Sequence, residues 1–345
     1  MQTRSFLPLA EAQSPFFVGL DLGGTNIKVG VVDDLGRPLS WHSIRTHVEN
    51  GPEDAARRMG QAVLEAIRLT GLAPADVARV GLGSAGTMDI PAGRLVKPAN
   101  LKGWDDFPIR DRVACHCGLP VSFANDASAA AFGELWVGSG RELRSLVLLT
   151  LGTGVGCGII IDHRTLQGEH SHGGEFAHTI IDCDPQSRLC GCGQRGHFEA
   201  YVSATGLVGR TREALDAGRA SSLTARIAAG GALTPILVAE EAQAADALSL
   251  EIIAGTARYL GIGIVNLMHT VDPAGILLGG AMTFGGHQTE LGRQFLAWVK
   301  AAVAARAYPV LVANTRIDFA TLGGDAGYIG AAGIARRDHL GLSKC

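Results

Sequence analysis

Two glycine–threonine turns, each placed between apolar β-rich runs, constrain this chain more than any other feature. The first is Asp21-Leu22-Gly23-Gly24-Thr25-Asn26, between Phe16–Leu20 and Ile27–Val32. The second is Gly152-Thr153-Gly154-Val155-Gly156, between Ser145–Leu151 and Cys157–Ile161. Two β-rich runs joined by a short Gly-rich turn read as a hairpin. Bare glycine backbone lets successive N–H groups converge on an anion, a threonine hydroxyl adds a donor, and an aspartate at a strand end can hold a divalent cation. One such turn is most simply a hairpin; two matching turns suggest two related α/β domains, with two ordinary hairpins as the plainer alternative. There is no G-x-x-x-x-G-K-[ST], so the chain is not a P-loop protein.

The rest of the chain fits a folded α/β protein. Its 345 residues suggest about two domains, and 47% apolar with 18% charged residues excludes a disordered polymer. The net charge of −3 and the lack of a basic tract leave no footprint for nucleic acid. The 47 glycines are about twice the usual ~7%, and many fall in clusters between apolar runs. Seven cysteines, four of them in two C-x-C pairs (Cys115/Cys117 and Cys190/Cys192), do not make a secreted disulfide framework. The apolar patch Phe6–Ala10 is too short for a secretory signal, and Leu146–Ile161 is broken by four glycines and reads as strand, turn and strand, so no membrane segment and a cytoplasmic location are expected. Pro38–Ser43 and Val77–Leu82 read as strands, and Pro52–Thr70 as an amphipathic helix. Pro235–Met268 reads as mostly helical, Gly275–Leu278 as a strand and Tyr328–Arg336 as a helix. Ala214–Gly231 reads as a surface loop or loose helices.

Leu20-Asp21-Leu22-Gly23-Gly24-Thr25 with Gly30, together with Thr150-Leu151-Gly152-Thr153-Gly154-Val155-Gly156, resembles the ROK family of bacterial sugar kinases and repressors, within the actin-like ATPase superfamily. The resemblance runs from about Phe16 to Ala335. It implies a two-domain α/β actin-like (ribonuclease H-like) kinase fold with an interdomain cleft. The expected division is an N-terminal extension over 1–15, a small domain over 16–125 and a larger one over 126–327. A terminal helix at about 328–340 is expected to pack back on the small domain. The resemblance also implies Mg-ATP as phosphoryl donor, its phosphates bound by Asp21, Gly23, Gly24 and Thr25 on one side and Gly152, Thr153 and Gly154 on the other. Val271-Asp272-Pro273-x-x-Ile276-x-x-Gly279-Gly280 is similar to the family's adenosine-side motif, and Gly323–Ala332 to its closing segment.

Phe123-Ala124-Asn125-Asp126-Ala127 follows an apolar run and, read alone, is a turn or a helix N-cap. The resemblance makes Asp126 the base that takes the proton of the attacking sugar hydroxyl, with Asn125 beside it in the substrate site. It assigns Asn100, in Asn100-Leu101-Lys102-Gly103-Trp104, to a ring hydroxyl with Trp104 packed beneath; without it the segment is a surface turn with a core tryptophan. Glu175, His178 and Glu199 would reach hydroxyls near the anomeric carbon. Two positions depart from the family pattern: Ala177 stands where Glu-x-Gly-His usually has glycine, and Ala85-Gly86 where Pro-Gly is usual.

His178, Cys190, Cys192 and His197 form a ligand-like series, and four N/S donors suit tetrahedral zinc. The family pattern has one His and three Cys, so His197 here stands in place of the third Cys. The expected zinc is structural, ordering the loop 178–197 that feeds His178 and Glu199 into the pocket; the alternative is two buried thiols and two surface histidines. Cys115-His116-Cys117 lacks partners and is read as non-functional, and His170 and His172 as loop residues. The expected activity is ATP-dependent phosphorylation of a hexose, with glucose first and N-acetylmannosamine, N-acetylglucosamine, fructose and allose as alternatives. A sugar-sensing repressor is disfavoured because about fifteen residues before the first phosphate strand are too few for a helix-turn-helix. An actin-like filament or chaperone ATPase is disfavoured by the Asn-Asp-Ala segment and the cysteine cluster. The expected partners are sugar and ATP, with no nucleic acid or membrane, in a homodimer or higher homo-oligomer.

Overall fold

The computed structural model describes residues 5–98 and 100–342. Strands β1 (Phe16–Leu22), β2 (Asn26–Val32) and β3 (Pro38–Arg45) form an antiparallel meander. Helix α1 (Pro52–Arg68) follows, then β4 (Val77–Ser84), the small hairpin β5 (Thr87–Asp89) and β6 (Arg94–Lys97), α2 (Ile109–Cys117), β7 (Val121–Asn125) and α3 (Asp126–Trp136). β4 and β7 add in parallel to β1, giving a five-stranded sheet in the order β3-β2-β1-β4-β7.

A second sheet repeats that plan. β8 (Leu146–Leu151), β9 (Val155–Ile161) and β10 (Arg164–Thr165) come first. A helical stretch then runs through α4 (Glu199–Val202), α5 (Ala204–Asp216), α6 (Leu223–Ala228), α7 (Pro235–Gln243) and α8 (Ala247–Val271). β11 (Gly275–Gly280) leads to α9 (Glu290–Ala304), α10 (Pro309–Asn314), β12 (Arg316–Phe319) and α11 (Ala326–His339). The order is β10-β9-β8-β11-β12, with β11 parallel to β8 and β12 parallel to β11. The resemblance between the two turns thus extends to the order of whole sheets.

By contacts the chain forms two units: residues 1–144, 158–174 and 321–345, and residues 145–157 and 175–320. The boundary expected after Asn125 falls instead beyond α3, because α3 is packed against α11. A methyl group on Gly330 would lie 1.6 Å from the carbonyl oxygen of Ala129, so only glycine lets the two helices approach this closely. Alternation along β1 sends Val18, Leu20 and Leu22 to a core with Met59, Val63 and Ile67 of α1, and Phe17 to the opposite core with Tyr328, Ile329 and Ala332 of α11.

The stretch 235–268, expected to be mostly helical, is so, as the two helices α7 and α8. Ala245 adopts a positive φ of 65° and Asp246 caps α8, accepting from Ser249 N at 2.9 Å. Helix α8, with mean hydropathy 1.4 over its most apolar window, is long and apolar enough to cross a membrane, but most of that window is buried in the protein. The stretch 214–231 holds the end of α5 and all of α6.

Candidate active site

In the first unit the strand registers align three carboxyl ends. Leu22 lies opposite Ser84, and Ser84 opposite Asn125. Asp21 and Asp126 therefore share one edge of the sheet, the edge at which ligands of parallel α/β sheets bind. The turn between β1 and β2 is closed by Gly23 N–H donating to Asn26 O at 3.0 Å, and it presents the exposed Gly24 and Thr25. Thr46, fully buried, braces it twice: its Oγ1 donates to Gly23 O at 2.6 Å, and its N–H to Thr25 O at 2.9 Å. Asp21 pairs with Lys28 across the β1–β2 ladder at 3.3 Å, and Lys28 also donates to Gly324 O at 2.9 Å. A methyl on Gly327 would lie 2.6 Å from the Asp21 carboxyl group, so the closing segment packs directly behind that carboxylate. Neither Thr46 nor Lys28 stands out in the sequence; the cross-strand register of Lys28 is the one signal that could have found it.

Asp126 opens α3. Asn125 is its N-cap, its Oδ1 accepting from Ser128 N–H at 3.1 Å, and the Asp126 carboxylate accepts from Ala127 N–H at 2.8 Å. Asn100 is exposed and its carbonyl oxygen would lie 3.2 Å from a methyl on Gly24, so the sugar-loop asparagine adjoins the first phosphate turn. Trp104 is a core residue with no exposed surface, tied by its indole N–H to Val48 O at 3.2 Å. It anchors the loop from inside. Ala85-Gly86 keeps the residue that matters, since Gly86 has φ +97° and a methyl there would lie 2.6 Å from Pro98 Cβ.

In the second unit the turn Gly152–Val155 is held by the segment that opens with α4. Gly152 O accepts from Ala204 N–H at 2.8 Å, Thr153 O from Thr205 Oγ1 at 2.9 Å, and Val155 N–H donates to Glu199 Oε2 at 3.1 Å. A methyl on Gly154 would meet the Glu199 carboxylate at 2.4 Å. β11 runs alongside, with Gly279 opposite Thr150 and Gly280 opposite Leu151, so the expected adenosine-side glycines adjoin the phosphate turn. Glu175 is exposed, and His178 Nε2 lies 3.8 Å from its Oε2. Ala177 is buried in the short 3-10 turn Phe176–His178.

His178, Cys190, Cys192 and His197 come together, all four ligand atoms within 4.8 Å of one another. Cys190 Sγ is 3.9 Å from His178 Nδ1, and Cys192 Sγ is 3.2 Å from His197 Nδ1. Tetrahedral zinc with bonds of about 2.0–2.3 Å needs donor separations of roughly 3.3–3.8 Å, so this N₂S₂ set fits the ion with small adjustments. Burial lowers the pKa of His197, keeping it the neutral imidazole a metal requires, and burial pushes the Cys190 thiol up to about 12. Cys190 also faces Glu199 Oε1 at 3.3 Å, which links the cluster to the carboxylate that braces the phosphate turn. Cys115-His116-Cys117, by contrast, ends α2: Cys117 is buried and His116 binds Glu53 at 2.9 Å. His170 and His172 are exposed loop residues.

Each of the two like α/β units thus carries a glycine–threonine turn at a sheet edge, and the fold they make is that of known sugar kinases. The sequence model of the ROK family matches residues 17–338, and the chain belongs to the ROK family. It is 32% identical over 331 residues to the glucokinase of Halalkalibacterium halodurans, covering 95% of this chain and 97% of that one. Among solved structures it resembles the ROK hexokinase from Thermus thermophilus (TM-score 0.77, 30% identity, covering 96% of this chain and 100% of that one). It also resembles a ROK family glucokinase from Streptomyces griseus in complex with glucose and AMPPNP (TM-score 0.74, 31% identity, 93% and 99% coverage). Its fold is the actin-like α/β fold of these sugar kinases.

Proposed function

We propose that this protein is an ATP-dependent hexose kinase whose substrate is glucose and whose product is glucose 6-phosphate. The observation that carries the reading is the alignment of Asp21, the Gly23–Thr25 turn and Asp126 along one sheet edge, with the same glycine–threonine equipment at the equivalent position of the second sheet. The glucokinase relatives support the choice of glucose.

In this reading Asn100, Asn125, Glu175, His178 and Glu199 hold the sugar. The Gly23–Thr25 and Gly152–Gly154 turns hold the phosphates, and Gly279-Gly280 lies on the adenosine side. The 6-hydroxyl oxygen attacks the γ-phosphorus of ATP and the bond to the β,γ-bridging oxygen breaks, releasing ADP. Asp126 accepts the hydroxyl proton, a role worth roughly 10²–10⁴ in rate. The transition state is loose, so positioning and charge neutralisation supply most of the remainder. Asp21 would hold the magnesium of Mg-ATP, which would supply neutralisation of the phosphate charge.

His178, Cys190, Cys192 and His197 would hold a structural zinc, which supplies rigidity and leaves no open position for chemistry. His178 turns Nδ1 toward Cys190 and Nε2 toward Glu175, so its Nε2 would be left to carry a proton and donate beside the sugar if Nδ1 were taken up by a metal. The same reading places the enzyme in the cytoplasm as a homo-oligomer. The test is ADP release with Mg-ATP across glucose, mannose, fructose, allose, N-acetylglucosamine and N-acetylmannosamine. A clear preference for glucose is expected. Preference for another sugar would keep the kinase and replace the substrate, and no turnover on any of them would overturn the reading.

A further inference from the structure

The first sheet has a second polar edge. β4 enters it at Arg79 and α11 leaves near it at Arg337, and both residues line one groove with Ser122, Arg110, Arg164 and Asp338. The groove encloses about 590 Å³, within the range of small-ligand sites. It lies at the amino-terminal ends of β4 and β7, whereas the candidate active-site residues of this unit stand at the carboxyl ends. The five residues from Arg79 to Ser84 separate the two edges by roughly 16 Å of strand.

The charges in the groove do not balance. The Nε atoms of Arg79 and Arg337 are buried with no hydrogen-bond partner, and among the described residues neither guanidinium joins an ion pair. Arg110 is bound to Asp111 at 2.8 Å and to Pro91 O at 2.9 Å. The groove's one carboxylate, Asp338, accepts from Ser122 Oγ at 2.5 Å. Of the groove's arginines, Arg110 therefore has its own carboxylate, while Arg79 and Arg337 have no ion pair among the described residues. Partly burying cations without partners is unfavourable unless something else compensates. Burial lowers the pKa of Arg337, with Asp338 opposing that shift and Arg164 adding to it, and the guanidinium lies 5.5 Å from the centre of the Phe132 ring. A solvated surface arginine would show no such burial effect. Planar guanidinium forks match the oxygens of a phosphate, and two of them converging from different elements make a cradle that a single surface cation cannot.

We propose that this groove is a binding site for a phosphorylated small molecule, its phosphate gripped by Arg79 and Arg337. Binding there would tie the starts of β4 and β7 to the end of α11 and to the segment 164–167. A sugar monophosphate and a nucleoside monophosphate present the same dianionic group, and the remainder of the groove would choose between them.

The test is titration calorimetry in buffer free of phosphate and sulfate, using inorganic phosphate, glucose 6-phosphate and AMP separately. The proteins are the wild type, Arg79→Gln, Arg337→Gln and the double variant. Binding by the wild type that weakens at least tenfold in each single variant, while the KM values for sugar and ATP stay unchanged, is the expected result. The preferred ester identifies the source of the phosphate. Identical isotherms in wild type and double variant, including absence of binding in both, would overturn the proposal. Should a variant fail to fold, hydrogen exchange on the wild type decides: the ligand should slow exchange across 79–82, 121–123 and 333–338, and no slowing there with any of the three probes rejects the site.

Discussion

At the scale of single residues, Asp126 and Gly280 lend themselves to opposite tests. The Asp126 carboxylate accepts from Ala127 N–H at 2.8 Å, a bond that asparagine can also accept, so Asp126→Asn should fold normally. It should bind sugar within a few-fold of wild type while kcat falls by roughly two to four orders of magnitude. Equal turnover of the two proteins would remove Asp126 from the role of base. Gly280 carries backbone rather than chemistry. Its φ is +87°, and a methyl would lie 2.3 Å from Leu151 O in the neighbouring strand. Gly280→Ala combines a left-handed conformation with a backbone clash, so it should lower unfolding free energy by about 1–3 kcal/mol in denaturant titration. It should also weaken ATP binding, because the displaced Leu151 leads directly into the second phosphate turn.

At the scale of elements, the short segment Glu199–Thr205 acts as a strut under that turn. Thr205→Val removes the hydroxyl that donates to Thr153 O and keeps the side-chain shape. The expected outcome is a rise in KM for ATP of about three- to tenfold with KM for sugar unchanged, in line with one hydrogen bond of about 1 kcal/mol, and recovery in Thr205→Ser. The strut begins immediately after the cysteine–histidine knuckle. Chelation should therefore release about one zinc per chain by elemental analysis and loosen both His178 and the Gly152–Val155 turn. Full retention of melting temperature and of both KM values in metal-free protein would exclude a structural role for the ion.

The strut also marks where the sequence stops being readable. The strands around both turns, the amphipathic α1 and the gathering of His178, Cys190, Cys192 and His197 could be read directly, because each rests on a local period or spacing. Thr46, Lys28 and Thr205 could not, since each acts on a turn through a hydrogen bond or register set by packing, and an isolated Thr or Lys carries no local signal. The exact break between α7 and α8 has no local signal for a related reason: Ala244-Ala245 looks helical, and the run ends through the positive φ of Ala245 and the capping of α8 by Asp246. Trp104 remained ambiguous because a core tryptophan and a sugar-stacking one follow the same motif.

At the scale of the whole molecule, two sheets share one strand order, and the first of them is finished by α11. Methyl groups on Gly19 and Gly81 would lie 1.7 Å from Tyr328 O and 1.8 Å from Ala331 O, so α11 rests on bare backbone of the central strands. A chain ending at Ala320 should lose cooperative unfolding and near-ultraviolet ellipticity from the first unit; retention of both would show that this sheet is stable with one face uncovered. This arrangement also governs the order of biosynthesis. Roughly 200 residues separate the end of β7 from the start of α11. At about 5–20 residues per second, the ribosome makes them in about 10–40 s. During that interval the face of β1 and β2 that carries Phe17 and Val32 has no cover, and the first strands to emerge are among the last to be sealed. For this chain the vulnerable period for chaperones and proteases is therefore set by the time of synthesis of the second unit and not by the folding rate of the first.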